Sequence, residues 1–235
     1  METQGDAYAR SGSRVLIAAT VVYAVLVTVA LAALGTGGTL PAASESGAEL
    51  VAWFRAHRDS VRGGVWIMTI AMPPFAVMSA LLRRILPAPH RDVFFFGALV
   101  FSVSSAVWTW TWAGLALHAD ELDPAITRTV LDVASFFGPV LTGATTTMMA
   151  PVTWLALRGQ TIPRWLGALG LVAFVEQSLE TLTIFGSTGF TQPGGAMNMQ
   201  LGAGLTLAWI LGFAFWGGLR GRMRCSPVVG NGASS

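Results

Sequence analysis

The chain has 235 residues, of which 53% are hydrophobic and only 11% are charged. A soluble domain usually carries about 25% charged residues, so these few charges could not cover the surface of a soluble fold of this size. Lipid suits such a composition, because apolar side chains that face hydrocarbon carry no penalty. All fourteen basic residues are arginine. Most stand at the ends of apolar runs, which is typical of membrane topology and argues against a nucleic-acid partner.

Six apolar runs are long enough to cross a hydrocarbon core of about 30 Å, for which about 20 helical residues are needed. The sequence therefore predicts an all-α membrane protein, a polytopic bundle of six transmembrane helices within residues 15–225. The predicted spans lie near 15–35, 64–82, 93–117, 129–157, 165–186 and 199–219. The first apolar stretch is longer than the core of a signal peptide, so we interpret it as an uncleaved span.

The distribution of arginine predicts the orientation of these spans. If the N-terminus is inside, ten arginines lie in inner segments, and four lie in outer segments: Arg55, Arg58, Arg62 and Arg128. Basic residues favour the cytoplasmic side, so residues 1–14 and a disordered tail over 226–235 are predicted to be cytoplasmic. The exclusive use of arginine is typical of a high-GC bacterium, and the predicted location is a bacterial cell membrane.

The connection between the first two spans contains a further helical pattern. Ser46 and Glu49 have the spacing of a capping box. Leu50 and Phe54 fall on one side of the helix that follows, whereas Arg62 falls on the other. This pattern predicts a short helix on the outer membrane surface, with a packed cap over the bundle as the alternative.

Proline residues predict kinks in two spans. Pro73 and Pro74 fall in the second span, and Gly138-Pro139 and Pro151 fall in the long fourth span. The sequence contains no internal repeat, and it lacks the paired broken spans of inverted-repeat transporters.

Three acidic residues fall at bilayer depth, where a charged side chain costs about 2.5–3.5 kcal/mol. Glu176 and Glu180 are four residues apart on one face of the fifth span, with Gln177 beside them. Asp132 lies about one turn into the fourth span, where Arg128 could pair with it. Two carboxyls in a low dielectric without a cation should not both ionise, so they are candidate proton donors or carriers. Alternatively, they line a hydrated vestibule or hydrogen-bond between helices.

Trp108 and Trp112 share one face of the third span, in the same middle-to-outer layer of the bilayer as the three acids. An indole face can line a lipophilic pocket and stabilise a cation. An interfacial belt and ordinary packing are the alternatives. The predicted site therefore combines three catalytic acids with three substrate-binding side chains: Glu176, Glu180 and Asp132, with Trp108, Trp112 and Gln177.

No metal or cofactor is predicted. His57, His90 and His118 fall in three different connections without a second ligand at metal spacing. Cys225 is the only cysteine, so an intrachain disulfide is excluded. The sequence has no phosphate-binding loop, dinucleotide fingerprint, zinc-protease motif or nucleophile elbow.

Two resemblances follow from these features. The chain resembles a group of uncharacterised small integral membrane proteins of actinobacteria in three features: Arg164-Trp-Leu-Gly-Ala-Leu-Gly170 after Pro163, the predicted outer helix after Ala42, and the six-span length. That similarity covers most of the chain and implies no function. The size, with intramembrane acids beside aromatics, is similar to the small integral-membrane terpene cyclases, although no sequence motif is shared and the fungal members have seven spans. This likeness implies an enzyme whose carboxyl protonates an epoxide or alkene while aromatic faces guide the cation.

The leading hypothesis is an intramembrane enzyme that protonates a lipophilic, isoprenoid-like substrate from Glu176 or Glu180. Its partners would be the lipid bilayer and a lipophilic small molecule. A proton-coupled transporter that uses the same carboxyls is the alternative, although six spans without a repeat is small for a transporter unless the protein forms a homo-oligomer. A third hypothesis is a non-catalytic membrane subunit of a larger complex.

Overall fold

The computed structural model describes residues 4–35, 40–41, 44–159 and 162–224. Cys225 and the predicted tail 226–235 lie outside the described residues. The described part of the chain forms seven α-helices: α1 Gln4–Gly35, α2 Gly47–Arg83, α3 His90–Leu117, α4 Pro124–Ser135, α5 Phe137–Leu157, α6 Arg164–Glu180 and α7 Ala203–Arg224. With α4 and α5 taken together, they provide six helical segments that are long and apolar enough to cross a membrane. The prediction of six spans is confirmed, and the fold is consistent with a multi-pass membrane protein.

The six segments form a ring in chain order. Each segment packs against the one before it and the one after it, and α7 closes the ring against α1 and α6. Large apolar side chains on the outside of the ring, such as Val103, Trp110 and Val140, are exposed. Hydrocarbon is the solvent that accepts such a surface without penalty.

Two apolar clusters fill the ring at different heights. One contains Phe54, Trp112 and Leu131, and it lies at the cap end, where the connection 118–123 meets the first turns of α2. The other contains Phe75 and Phe213, and it extends toward the termini end, where the connection 84–89 and the first turn of α6 lie. The helices α1, α2 and α3 pass from one cluster to the other and line the space between the clusters.

The second span is much longer than predicted. The predicted surface helix and the second span are one continuous helix, α2, of 37 residues. It opens with the predicted capping box, in which the Ser46 N–H donates to Glu49 at 2.7 Å. Phe54 and Val61 are fully buried against the third span, so a separate surface helix is not confirmed and this segment packs as a cap. At about 1.5 Å per residue, α2 is roughly 55 Å long and exceeds the hydrocarbon core.

The fourth span is broken rather than only kinked. The helix stops at Ser135 and restarts at Phe137. Pro139 explains the position, because it has no N–H to donate to the carbonyl of Ser135. Pro151, in contrast, lies inside the continuous helix α5, and Pro73 and Pro74 lie inside α2.

Two further helical irregularities lie in the fifth and sixth spans. At its end α6 tightens into a 3₁₀ helix, Thr181–Phe185. A π-helical turn, Met197–Gly202, leads directly into α7. π-helical turns are rare and occur frequently at functional sites.

Candidate functional site

The inward face of α6 changes from small to polar residues along its length. Gly170 and Ala173 are buried on this face, and the face continues with Glu176, Gln177 and Glu180. The exposed fractions of these last three residues are 8%, 3% and 3%. Helical periodicity places both acids and the glutamine on the face of α6 that lies inside the ring.

A single amide nitrogen connects the two acids. Nε2 of Gln177 donates to Oε2 of Glu180 at 2.6 Å and to Oε2 of Glu176 at 3.0 Å. The second oxygen of Glu180 accepts a hydrogen bond from Nδ2 of Asn198 at 2.5 Å. Glu180 is thus held at both carboxyl oxygens by neutral amide donors.

Residues from neighbouring elements fix the orientation of both amides. The Thr145 hydroxyl on α5 donates to Oε1 of Gln177. The backbone N–H of Gly194 donates to Oδ1 of Asn198 at 3.0 Å, so the other end of that amide faces Glu180. The orientation of an amide side chain is assigned from such partners, and here each amide oxygen has a donor of its own.

Two glycines allow the backbone to approach this cluster. A Cβ atom at Gly202, the last residue of the π-helical turn, would lie within 3 Å of Gln177 and of the Glu180 carboxyl. A Cβ atom at Gly138 would lie 2.9 Å from the side chain of Asn198. A larger residue at either position would therefore displace the hydrogen-bonded side chains.

The cluster forms one wall of a cavity of about 150 Å³ at the centre of the ring. All six spans contribute to its lining. Aliphatic and aromatic side chains predominate, including Tyr23, Met68, Phe101, Trp108, Phe137, Leu141, Leu207 and Ile210. Polar groups come mainly from one side, where Glu180, Gln177 and Asn198 reach the cavity with Thr145 and Thr206.

The two predicted tryptophans lie in different environments. Trp108 lines the central cavity, and its ring lies 5.7 Å from that of Phe137. Trp112 is buried one turn closer to the cap end, where its ring lies 5.5 Å from that of Phe54. Both tryptophans line a second cavity of about 30 Å³ on the cap side of the first.

Asp132 does not join the other acids. Its carboxyl pairs with Arg128 at 3.0 Å, and the Asp132 side chain is 44% exposed. Arg128 also donates to the backbone carbonyl of Glu45, which precedes α2. Asp132 is not among the described residues that line the central cavity. The geometry therefore favours the pairing alternative for Asp132.

Within the described residues, neither Glu176 nor Glu180 has an ion-pair partner. The same part of the chain contains no group of three or more acidic, histidine or cysteine side chains that could hold a metal ion. Glu180 therefore reaches the largely apolar cavity, whereas Glu176 is buried behind it and does not line the cavity. Both carboxyls have only neutral hydrogen-bond partners among the described residues.

Asn198 and Thr145 belong to this site but were not predicted from the sequence. Asn198 stands one residue before the predicted sixth span, in a connection that carries no charge. The sequence offered one signal for Asn198, namely an uncharged amide side chain at the edge of an apolar run. A scan of protein-family models finds no match for this chain, and neither curated proteins nor solved structures provide one. Any proposal for the function of this site therefore rests on the geometry of the site.

Proposed function

We propose that this protein is an intramembrane enzyme that protonates a lipophilic, isoprenoid-like substrate in the central cavity, with Glu180 as the proton donor. One observation carries the proposal. Glu180 is a buried carboxyl that reaches an aromatic-lined, largely apolar cavity and has only neutral partners among the described residues. A carboxyl in this setting suits proton donation to an alkene carbon or an epoxide oxygen, as in the terpene cyclases.

The reaction is a proton-initiated cyclisation. The O–H bond of Glu180 breaks, its electron pair stays on the carboxylate, and the proton bonds to the substrate and creates a cation. After ring closure the cation loses a proton from a neighbouring carbon to water and forms a double bond. The faces of Phe101 and Trp108 stabilise the cation, and the apolar lining keeps water from capturing it early.

The two amides stabilise the carboxylate that remains after proton transfer. Gln177 donates to one oxygen of Glu180 and Asn198 donates to the other. Hydrogen bonds to a charged acceptor are about twice as strong as those between neutral groups. Because both amides are anchored by Thr145 and Gly194, they need not reorganise when the charge develops.

We place the protein in the bacterial cell membrane with both termini in the cytoplasm. The arginine distribution supports this orientation. The cap end then faces outward, and the first half of α2, which includes Arg55 and Arg62, lies toward the outer surface. In this arrangement we expect the substrate to enter the central cavity from the lipid bilayer.

The test is turnover of candidate polyprenyl alkenes and epoxides by membranes that contain Glu180→Gln. Glutamine keeps the size and polarity of the side chain but cannot donate an acidic proton, so we expect turnover to fall by roughly 100-fold or more. Glu121→Gln is the matched control, because Glu121 is highly exposed at the cap end. If Glu180→Gln retains wild-type turnover at equal expression, Glu180 is not the proton donor.

A proton-coupled transporter is the second candidate, and two irregular helices favour it. The break at Phe136 and the π-helical turn meet where Gly138 approaches Asn198, beside the cavity. Discontinuous helices often form the binding sites of transporters. Proteoliposomes with a pH gradient would separate the two candidates, because a transporter accumulates its substrate unchanged and an enzyme releases a product of different structure.

A further inference from the structure

Two residues on the wall of the central cavity are exposed, unlike the rest of its lining. Among the described residues that line this cavity, only Leu31 on α1 and Ala203 at the start of α7 are exposed. Lining the cavity does not by itself expose a side chain, because Val27 and Ile210 also line it and are only 7% and 3% exposed. Leu31, in contrast, is 41% exposed. The cavity therefore reaches the outer surface of the ring at these two residues.

Helical periodicity places both residues on the faces along which α1 and α7 meet. Near the termini end, the Ser13 hydroxyl on α1 donates to the backbone carbonyl of Gly218 on α7. Leu31 follows Ser13 after about five complete turns of the same helix, so the two side chains point in the same direction. Ala203 lies about 60° from Gly218 around the axis of α7, on the matching face. Leu31 and Ala203 thus belong to one seam between α1 and α7.

The two residues also lie at nearly the same height along this seam. The helices α1 and α7 are the first and sixth spans, so they run antiparallel. Measured from the hydrogen bond between Ser13 and Gly218, Leu31 lies about 27 Å toward the cap end and Ala203 about 22 Å, at about 1.5 Å per residue. Their heights differ by less than one helical turn, so they flank the same point of the seam.

The seam is tightly packed where it does not border the cavity. A Cβ atom at Gly218 would lie 2.5 Å from the side chain of Ile17 on α1. A Cβ atom at Gly217 would lie 2.7 Å from Ile85 and 3.4 Å from Leu16. Small residues allow membrane helices to approach this closely. The two helices are therefore in close contact near the termini end, and the exposed cavity wall occurs only farther along the seam.

The volume of the cavity limits what it can hold. A cavity of about 150 Å³ accommodates a molecule about the size of benzene. One isoprene unit has about as many carbon atoms as benzene, so a long polyprenyl chain exceeds the cavity. Leu31 and Ala203 lie within the membrane-spanning segments, so the part of a chain that leaves the cavity between them enters hydrocarbon. A long chain can therefore occupy the cavity and the bilayer at the same time.

We propose that the central cavity opens to the bilayer between α1 and α7, at Leu31 and Ala203, and takes only the terminal unit of a long-chain lipophilic substrate. Gly202, which precedes Ala203, lies against the Glu180 carboxyl. The end of the chain that passes the opening therefore reaches the acid, and the proton goes to a terminal alkene or epoxide. The opening stands on exposure and register alone, whereas the specificity for a terminal group rests on the proposed function.

A photolabel tests the opening without a substrate. Phosphatidylcholine proteoliposomes receive a long-chain fatty alcohol with a diazirine on its terminal carbon, and mass spectrometry measures insertion at the buried Ile210. The indole of Ala203→Trp would fill the seam, so we expect labelling of Ile210 to fall roughly fivefold or more. Ala208→Trp is the matched control, because Ala208 is also exposed on α7 but lies about 140° from Ala203. An unlabelled Ile210 in the wild type, or equal labelling in both variants, would overturn the opening.

A second variant changes the labelling in the opposite direction. Leu31→Ala would widen the seam, so we expect labelling of Ile210 to rise by roughly threefold. Val29→Ala is its control, because Val29 is 46% exposed and lies about 160° from Leu31 around α1. A general folding defect could not lower labelling in Ala203→Trp and also be the cause of a specific rise in Leu31→Ala. No rise in Leu31→Ala relative to Val29→Ala would contradict the opening.

Two substrates of equal chain length test the specificity for the terminal group. One carries an epoxide at the end of the chain and the other carries it in the middle. We expect the terminal epoxide to be turned over at least about tenfold faster, because a central epoxide would require a larger part of the chain to enter the cavity. Equal turnover of the two substrates would overturn this specificity.

Failure of this inference and failure of the proposed function give different results, because photolabelling does not depend on Glu180 as a proton donor. If Ile210 is labelled through the seam while Glu180→Gln keeps full turnover, the opening stands and the proposed function is wrong. If Ile210 is not labelled while Glu180→Gln abolishes turnover, the proposed function stands and the substrate enters by another route.

Discussion

The side chain of Asn198 donates a hydrogen bond of 2.5 Å to Glu180 across the interface between the π-helical turn and α6. Asn198→Leu would leave an oxygen of Glu180 and the N–H of Gly194 without this partner. We expect a loss of about 1–3 kcal/mol in the free energy of unfolding. Equilibrium unfolding in detergent micelles measures it. Gln200→Leu, on the exposed side of the same turn, is the control, and an equal loss there would show that Asn198 has no special role.

Glycine is required at position 202 by the acid cluster rather than by the helix. The Cβ atom of Gly202→Ala would overlap the Glu180 carboxyl and Gln177. We expect destabilisation of about 1–3 kcal/mol together with a loss of turnover. Gly204→Ala, two residues later, meets no atom within 4 Å, and alanine favours the helix by about 1 kcal/mol. Opposite signs for the two variants in unfolding experiments would confirm the close approach, and equal effects would contradict it.

We expect substitution of Trp108 to affect turnover and substitution of Trp112 to affect stability. Trp108 lines the central cavity, so we expect Trp108→Leu to alter the distribution of products and to lower turnover by roughly tenfold or more. Trp112 packs against Trp53 and Phe54 in the cap cluster. Trp112→Leu should therefore mainly lower the free energy of unfolding, by about 2–4 kcal/mol. Product analysis and unfolding of both variants measure this split, and a reversed pattern would place the substrate in the smaller cavity.

The exposed ion pair of Asp132 with Arg128 should contribute little to chemistry. We expect Asp132→Asn to leave turnover within about twofold and to lower the free energy of unfolding by no more than about 1 kcal/mol. Arg128→Ala also removes the hydrogen bond to the carbonyl of Glu45 and should cost more than Asp132→Asn. Assays of turnover and unfolding on both variants test this. A loss of turnover in Asp132→Asn comparable to that in Glu180→Gln would return Asp132 to the catalytic set.

Hydropathy was sufficient to predict the six spans, because length and apolar composition are the requirements for crossing hydrocarbon. It could not predict that α2 continues without interruption into the second span. The capping box of Ser46 and Glu49 marks where a helix begins, but an amphipathic pattern on the surface and one packed as a cap look the same in sequence. The burial of Phe54 depends on which side chains of α3 lie opposite, and this is a property of the tertiary fold.

The position of the acid pair could be predicted because a regular helix fixes which residues share a face. That reasoning failed where the helix was irregular. The helix is interrupted at Phe136, between Asp132 and the cavity-lining residues of α5, so the depth of Asp132 did not determine what it faces. The π-helical turn likewise changes the periodicity around Asn198, and its contact with Glu180 could not be derived from a 3.6-residue repeat.

The continuity of α2 also has a mechanical consequence. Arg58 at the cap end is paired with Asp120, while farther along the same helix Met68 and Met72 line the central cavity. Pro73 and Pro74 follow directly and leave the carbonyls of residues 69 and 70 without their usual helical donors. The helix α2 therefore resists bending least at these two prolines. A displacement of the cap would therefore bend α2 at the level of the central cavity, so that movement of the cap and a change in the shape of the cavity become a single event.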